Sequence, residues 1–240
     1  EFKKCGGILK LSSPVNKVMQ TADGKVTGVE CTDGTIYSAD HVISTMPLTH
    51  MVRGLQACPP AVQSACDALY FRNTILVYIE VDAENLFPDN WIYVHSPDVL
   101  HGRITNFRNW CPQINRDKRT TILCCEYWCF DNDDIWKKSE KEMGELARTE
   151  LLNLQLIKPE HQILNYYLLH IPKCYPVYEI GYMKNVSAIK NYLDTIPNLL
   201  VIGRYGSFKY NNQDHSILMG LLAARQLITG KNEHLWNINT

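Results

Sequence analysis

The chain has 240 residues, enough for one large domain or two small ones, with a substantial core in either case. Its 24 basic and 25 acidic residues leave a formal net charge of -1, so nothing in the balance draws a polyanion and a nucleic-acid partner is not expected. No apolar run approaches the roughly 20 residues of a membrane-spanning helix, and the opening EFKKCGGILKL lacks a signal peptide's apolar core, so a soluble, cytoplasmic protein is expected.

The first region reads as a β-meander: a strand ending near Val18, a turn at Asp23-Gly24, a strand from Lys25 to Cys31, a turn at Asp33-Gly34 and a strand through Ile36. HVISTMP follows as a short buried strand stopped by Pro47. Pro59 and Pro60 then mark a helix start, with Ala61, Ala65, Ala68 and Leu69 at helical spacing. NTILVYIEV, NWIYVHS and TTILCCEYWCF read as strands of a second sheet, and HGRITNFRNWCP as a strand or site loop. DNDDIWKKSEKEMGELARTELLNL predicts an amphipathic helix with an acidic start and Ile135, Met143, Leu146 and Leu151 along it. HQILNYYLLHIPKCYPVYEIGY predicts a strand running into a Tyr/Pro-rich loop, VSAIKNYLDTI a short helix and NLLVIG a buried strand. HSILMGLLAARQLITG closes as a helix ending at Gly230. The order is α/β at the end and α+β in the middle, with three segments at 1–57, 58–190 and 191–240.

Nine cysteines form no C-x-x-C pair and are odd in number, which argues against a metal site or a disulfide framework. Cys124, Cys125 and Cys129 lie in a strand-like run where cysteine behaves as a small hydrophobe, so buried free thiols are expected; one reactive thiol near a ligand is the alternative. No Ser-His-Asp, paired-carboxylate or metal-ligand constellation stands out, which suits an enzyme whose cofactor carries the chemistry.

The densest chemistry lies at GRYGSFKYNNQDHS. Gly203 ends a strand where a backbone without Cβ can approach a ligand, and Arg204 follows at the edge where α/β sheets bind theirs. Asn211, Asn212, Gln213 and Asp214 bring donors and acceptors, with Asp214 suited to cap a helix that has almost no polar face before Arg225 and therefore reads as buried on most sides. The plain alternative is a helix cap in a surface loop.

This segment resembles the C-terminal flavin-binding motif of UDP-galactopyranose mutases and their bacterial relatives, within the superfamily of amine oxidases and protoporphyrinogen oxidase. The meander and VIST-P strand, GRITNFRNW, EYWCF, YPVYEIGY and NLLVIGR are similar to further segments of those proteins, so nearly the whole chain is covered. The resemblance implies part of a Rossmann-like FAD-binding domain, in 1–57 and 191–240, entwined with a mixed-sheet α+β substrate-binding domain in 58–190. It implies FAD as cofactor, with Gly203 and Arg204 along the pyrophosphate and ribityl chain, Gln213, Asp214, His215 and Ser216 towards the isoalloxazine, Asn212 among the cofactor-binding residues, Val15 at the adenine, and Thr45 and Pro47 at a strand end beside the cofactor. His215 at a helix start reads as an orienting group as readily as a general base. On the substrate side Arg103, Arg108, Lys209, Tyr210 and Asn211 are candidates for a diphosphate, and Trp110, Tyr127, Tyr175, Tyr178 and Tyr182 for stacking on a base or sugar; core packing is the alternative for the aromatics.

One departure stands out: no G-x-G-x-x-G turn is present, and Gly6-Gly7 lacks the spacing. A truncated protein or a fragment is therefore expected, one that binds FAD weakly or not at all and is inactive without the missing N-terminal FAD-binding segment. The implied activity is that of a FAD-dependent mutase acting on a nucleotide-sugar in lipopolysaccharide or capsule synthesis, with flavin N5 attacking the anomeric carbon. The alternatives are an amine-oxidase or desaturase type of hydride transfer to N5, and a catalytically silent substrate-binding module. The pattern leaves monomer and homo-oligomer open.

Overall fold

A computed structural model describes residues 1–115 and 119–239 of the chain. It divides into two compact units, Glu1–Tyr70 with Pro176–Thr240, and Phe71–Tyr175. The first unit opens with strands β1 (Val15–Gln20), β2 (Val26–Cys31), β3 (Ile36–Ser38) and β4 (Val42–Ser44), then helices α1 (Leu48–Gly54) and α2 (Pro60–Asp67). The second holds β5 (Phe71–Val81), β6 (Trp91–Tyr93), β7 (Arg103–Asn106), α3 (Phe107–Trp110), β8 (Thr121–Cys129) and α4 (Glu140–Asn153), and its last strand β9 (Ile163–Pro176) leads out of it. The first unit resumes with α5 (Tyr182–Leu193), β10 (Leu199–Val201), α6 (Gly203–Gly206) and α7 (Gln213–Thr229).

In the first unit β1, β2 and β3 form an antiparallel meander. Gly24 and Gly34 close its turns at φ of 86° and 82°, a left-handed backbone that the Asp-Gly pairs supply without strain. β4 pairs in parallel with β10, Val42 opposite Leu199 and Ser44 opposite Val201, so both strands end at the same edge. Buried Asn198 ties this pair to the meander, its Oδ1 accepting from the Val26 N–H at 2.9 Å and its Nδ2 donating to the Val26 and Asp40 carbonyls at 2.7 Å.

Two expectations change in this unit, and one helix is unanticipated. Residues 58–70 and 176–190, assigned from sequence to the middle segment, group with the first unit, because α2 packs on α5 through stripes that bury Val62, Ala65 and Cys66 on one and Val186, Ile189 and Leu193 on the other. Helix α1 forms after Pro47 although Thr49, Val52 and Gly54 are poor helix formers; burial of Leu48, Met51 and Val52 decides it. Helix α7 is not buried on most sides. Met219 and Ala223 pack with Ile202 and Leu235, while Ile217, Leu218, Leu221 and Ile228 are exposed, the last at 84 %.

The second unit is a five-stranded sheet in the order β6-β7-β8-β5-β9. Period-two alternation in β5 sends Ile75, Val77, Ile79 and Val81 to one face, where they meet Leu123, Cys125 and Tyr127 of β8 and Met143, Ala147 and Leu151 of α4. Each such aliphatic side chain contributes about 1.5–3 kcal/mol of transfer free energy, which makes this face the unit's core. Helix α4 starts later than the acidic DNDD stretch suggests: Asp134–Lys137 is a separate 3₁₀ turn. Ser139 sets the start, its Oγ accepting the Glu142 N–H while Glu142 accepts the Ser139 N–H at 2.8 Å.

All nine cysteines are free. Five of them, including Cys124, Cys125 and Cys129, are buried, and burial pushes the Cys124 thiol up to about 12. Among the described residues no helix is long and apolar enough to cross a membrane, and no group of three His, Cys, Asp or Glu residues is placed to hold a metal ion.

Candidate functional site

The parallel pair β4 and β10 delivers two loops to one edge. Gly203 follows β10 at a φ of 83°, and a methyl placed on it would lie 3.8 Å from the Thr45 side chain that follows β4. Gly206 is tighter: a Cβ there would come within 3.2 Å of Val201 and 3.3 Å of the Ser44 carbonyl. The single turn α6 thus folds back against the strand ends because glycine stands at both positions. Beside it a cleft of 770 Å³ is lined by Val15, Ser44, Thr45, Met46, His50 and Arg53. Val15 and Thr45, far apart in sequence, line one cleft, and Pro47 caps α1 just beyond them. His50 and Arg53 were not anticipated, since they reach the cleft from the unanticipated helix α1.

From α6 the chain passes through a cluster of aromatic and basic side chains. The Arg204 guanidinium sits 4.2 Å from the centre of the Tyr210 ring and donates to the Asn211 carbonyl at 2.9 Å. Tyr178 accepts the Tyr210 N–H at 2.8 Å and stacks on Tyr182 with ring centres 4.5 Å apart. Arg204, Tyr178, Tyr182 and Tyr210 are therefore brought together. Lys209 and Asn211 are turned inward instead. The Lys209 ammonium donates to the Trp236 and Ile238 carbonyls, and burial holds its pKa below the usual lysine range. Asn211 is buried, its Nδ2 3.3 Å from Met219 Sδ and its Oδ1 accepting from Asn239. In this arrangement both side chains fasten the loop rather than face a diphosphate.

Helix α7 begins two residues earlier than expected. Asn212, not Asp214, is its N-cap; Asp214 stands in the first turn, where a carboxylate complements the helix dipole. The Asn212 N–H donates to His215 Nδ1 at 3.1 Å, which leaves Nε2 as the proton-bearing nitrogen of the neutral ring. Asn212, Gln213 and Asp214 are exposed and His215 and Ser216 half-buried. The first-turn N–H groups of a helix lack intrahelical partners, so this end offers donors to an electron-rich edge.

The sheet unit places its candidates differently. Arg103 Nε and Nη2 bind the two oxygens of Glu126 at 2.8 and 2.7 Å. Burial works against the Arg103 charge, yet the hydrogen bonds and attraction of Glu126 outweigh it and raise the pKa. Arg108 donates to the Thr120 carbonyl at 2.9 Å and to Glu84. Both arginines are thus neutralised by a carboxylate distant in sequence, Arg103 by its cross-strand neighbour, a pairing that sequence does not display. Trp110 is 55 % exposed at the end of α3. Tyr127 cannot stack on a ligand in this fold. It lies in the core 1 % exposed, donating at 2.8 Å to Glu150, which also meets His101 Nδ1 at 2.6 Å.

The FAD implied by the resemblance fits the donor set at α6 and α7. A left-handed glycine admits close approach of a ligand to the backbone, a guanidinium stands next to it, and an open helix N-terminus follows within ten residues. A flavin would find there close approach to the backbone, a neighbouring positive charge and free N–H donors.

The family model for flavin containing amine oxidoreductases matches residues 3–228. Among solved structures, a reduced UDP-galactopyranose mutase superposes with a TM-score of 0.80 at 21% identity, over 93% of this chain and 48% of that one. A protein from Exiguobacterium sp. 255-15, described as a protoporphyrinogen oxidase, matches with a TM-score of 0.64 at 16% identity, over 83% of this chain and 43% of that one. An oxidoreductase from Methanosarcina mazei gives 0.62 at 16% identity, over 93% of this chain and 51% of that one. The chain therefore spans about half the length of these proteins, whose shared fold it adopts. With a family model covering almost all of it, the chain belongs to the flavin containing amine oxidoreductase family.

Proposed function

We propose that this chain supplies one wall of the flavin site and the substrate-binding unit of a FAD-dependent enzyme that acts on a nucleotide-sugar, in the manner of a UDP-galactopyranose mutase, in the synthesis of surface polysaccharide. The observation that carries this reading is the meeting of Thr45, the left-handed Gly203 and Arg204 at the C-terminal ends of β4 and β10, followed by the open start of α7. A bound flavin supplies electron-pair or hydride chemistry at N5; the chain's residues bind and orient. Gly203 admits the cofactor backbone to backbone. Arg204, held by Tyr210 and the Asn211 carbonyl, keeps a fixed positive charge beside it. The α7 N-terminus stabilises negative charge at the cofactor edge, and the hydrogen bond from Asn212 keeps the His215 ring in place.

The exposed face of α7 fits the same reading. Parallel sheets are normally covered on both faces, yet β4 and β10 form a sheet of two strands, and Ile43, Ile217, Leu221 and Ile228 stand exposed. A βαβ segment carrying the G-x-G-x-x-G turn would extend the sheet and cover that helix face. The test is to express the chain with its upstream coding sequence and record the flavin absorbance of the purified product. Bound FAD supports the proposal; a well-folded, colourless protein that takes up no added FAD overturns it. Mutase and oxidase chemistry then separate in one assay, since the mutase turns over with pre-reduced flavin and no net electron acceptor.

A further inference from the structure

We infer that the face of the sheet opposite α4 binds the neutral ring of a glycosyl group, stacked against Trp91 and Tyr93 and hydrogen-bonded by the Arg103–Glu126 pair. In taking a sugar as ligand, this rests on the nucleotide-sugar reading above. Edge strand β6 sends Trp91 and Tyr93 to one face, 45 % and 46 % exposed, with ring centres 4.8 Å apart and planes at 80°. Cross-strand register carries that face inward: Tyr93 stands opposite Arg103, and Arg103 opposite Glu126, while Trp91 stands opposite Thr105. The Arg103 guanidinium lies 5.8 Å from the Tyr93 ring centre, which joins the aromatic edge to the ion pair. Gly102 keeps the pair accessible to the next aromatic: a Cβ there would collide with the Trp128 ring, which packs over the bare backbone. Trp128 Nε1 is enclosed without a protein partner, an N–H that a ligand or water oxygen would satisfy.

Charge decides the ligand class. A diphosphate needs uncompensated positive charge, and Glu126 cancels that of Arg103 at 2.8 and 2.7 Å. What remains is a planar set with spare donors on the guanidinium and spare acceptor sites on the carboxylate, beside the Thr105 hydroxyl. Vicinal hydroxyls each donate and accept, and the apolar C–H face of a pyranose lies flat on an aromatic ring. The arrangement matches a neutral polyhydroxylated ring and disfavours an anion. The diphosphate role expected for Arg103 is replaced by recognition of the sugar.

The test needs no flavin, so it fails separately from the flavin reading. Saturation-transfer NMR is recorded on the chain with methyl pyranosides of galactose, glucose and mannose, with uridine monophosphate and with pyrophosphate. Transfer to the ring protons of at least one methyl pyranoside is expected, insensitive to added salt. Trp91→Ala and Tyr93→Ala should each weaken that binding by about tenfold, with circular dichroism unchanged because both side chains are exposed. Glu126→Gln should weaken the pyranoside and strengthen pyrophosphate, since it uncovers the charge of Arg103. The inference is overturned if no pyranoside binds, if the alanine variants bind it as the parent does, if only uridine monophosphate depends on Trp91 and Tyr93, or if the parent holds pyrophosphate through Arg103.

Discussion

The two units differ in what they leave open at their candidate sites. The sheet unit pairs its charges internally: Arg103 with Glu126, Arg108 with Glu84, and Glu150 with His101, Tyr127 and the Leu100 N–H. The first unit leaves the α7 start exposed, with Asn212, Gln213 and Asp214 open to solvent, and it leaves an apolar helix face uncovered. A region that pairs its own charges has little net charge left to attract an anion. One that leaves donors and apolar side chains unmatched is shaped to receive something else.

The largest expected effect falls on the self-paired side. Glu150→Ala strips partners from Tyr127, His101 and the Leu100 N–H at once and should cost about 3 kcal/mol in denaturant unfolding. Glu150 also predicts a pH dependence. Burial would raise its pKa, but hydrogen bonds from His101, Leu100 and Tyr127 outweigh this and hold it below the usual 4.5. A carboxylate depressed on folding stabilises the fold above its unfolded pKa, and that contribution is lost as pH falls through the folded value. Stability should therefore decline below about pH 4.5, and Glu150→Gln should flatten that part of the profile.

Next come the glycines of the first unit. Gly206→Ala should cost about 1–3 kcal/mol, because its methyl meets Val201 and the Ser44 carbonyl at 3.2 and 3.3 Å. Gly203→Ala has room and meets only the left-handed backbone, so about 1 kcal/mol is expected. Thermal melts of both variants would order them, and the reverse order would break the account of why α6 turns where it does.

The smallest effect sharpens the contrast most. Ile217→Ser and Leu221→Ser should change the stability of the chain by less than about 0.5 kcal/mol, since both side chains are exposed. In a longer protein whose dinucleotide segment covers α7, the same changes should cost several times more. Equal effects in the two contexts would contradict the proposed cover.

Much of this was legible in the sequence. Asp-Gly turns set the meander, alternation set β5 and β8, and the run from Gly203 to Ser216 marked the place where strand, turn and helix meet. Long-range pairing was not legible. Arg103 and Glu126 read as separate charges until the register of β7 on β8 put them opposite each other. Tyr127 read as a stacking residue because alternation alone does not say which face of β8 carries α4. Helix α7 read as buried because an apolar helix shows what it could cover, not what covers it.

The central claim is that Gly203 and Arg204 form one wall of a flavin site. Its most direct measurement is FAD affinity, by equilibrium dialysis, of the chain expressed with its upstream segment, comparing the parent with Gly203→Val and Arg204→Ala. The account predicts tight binding in the parent and at least about a tenfold loss in each variant, with the fold retained. FAD bound equally well by all three would contradict it.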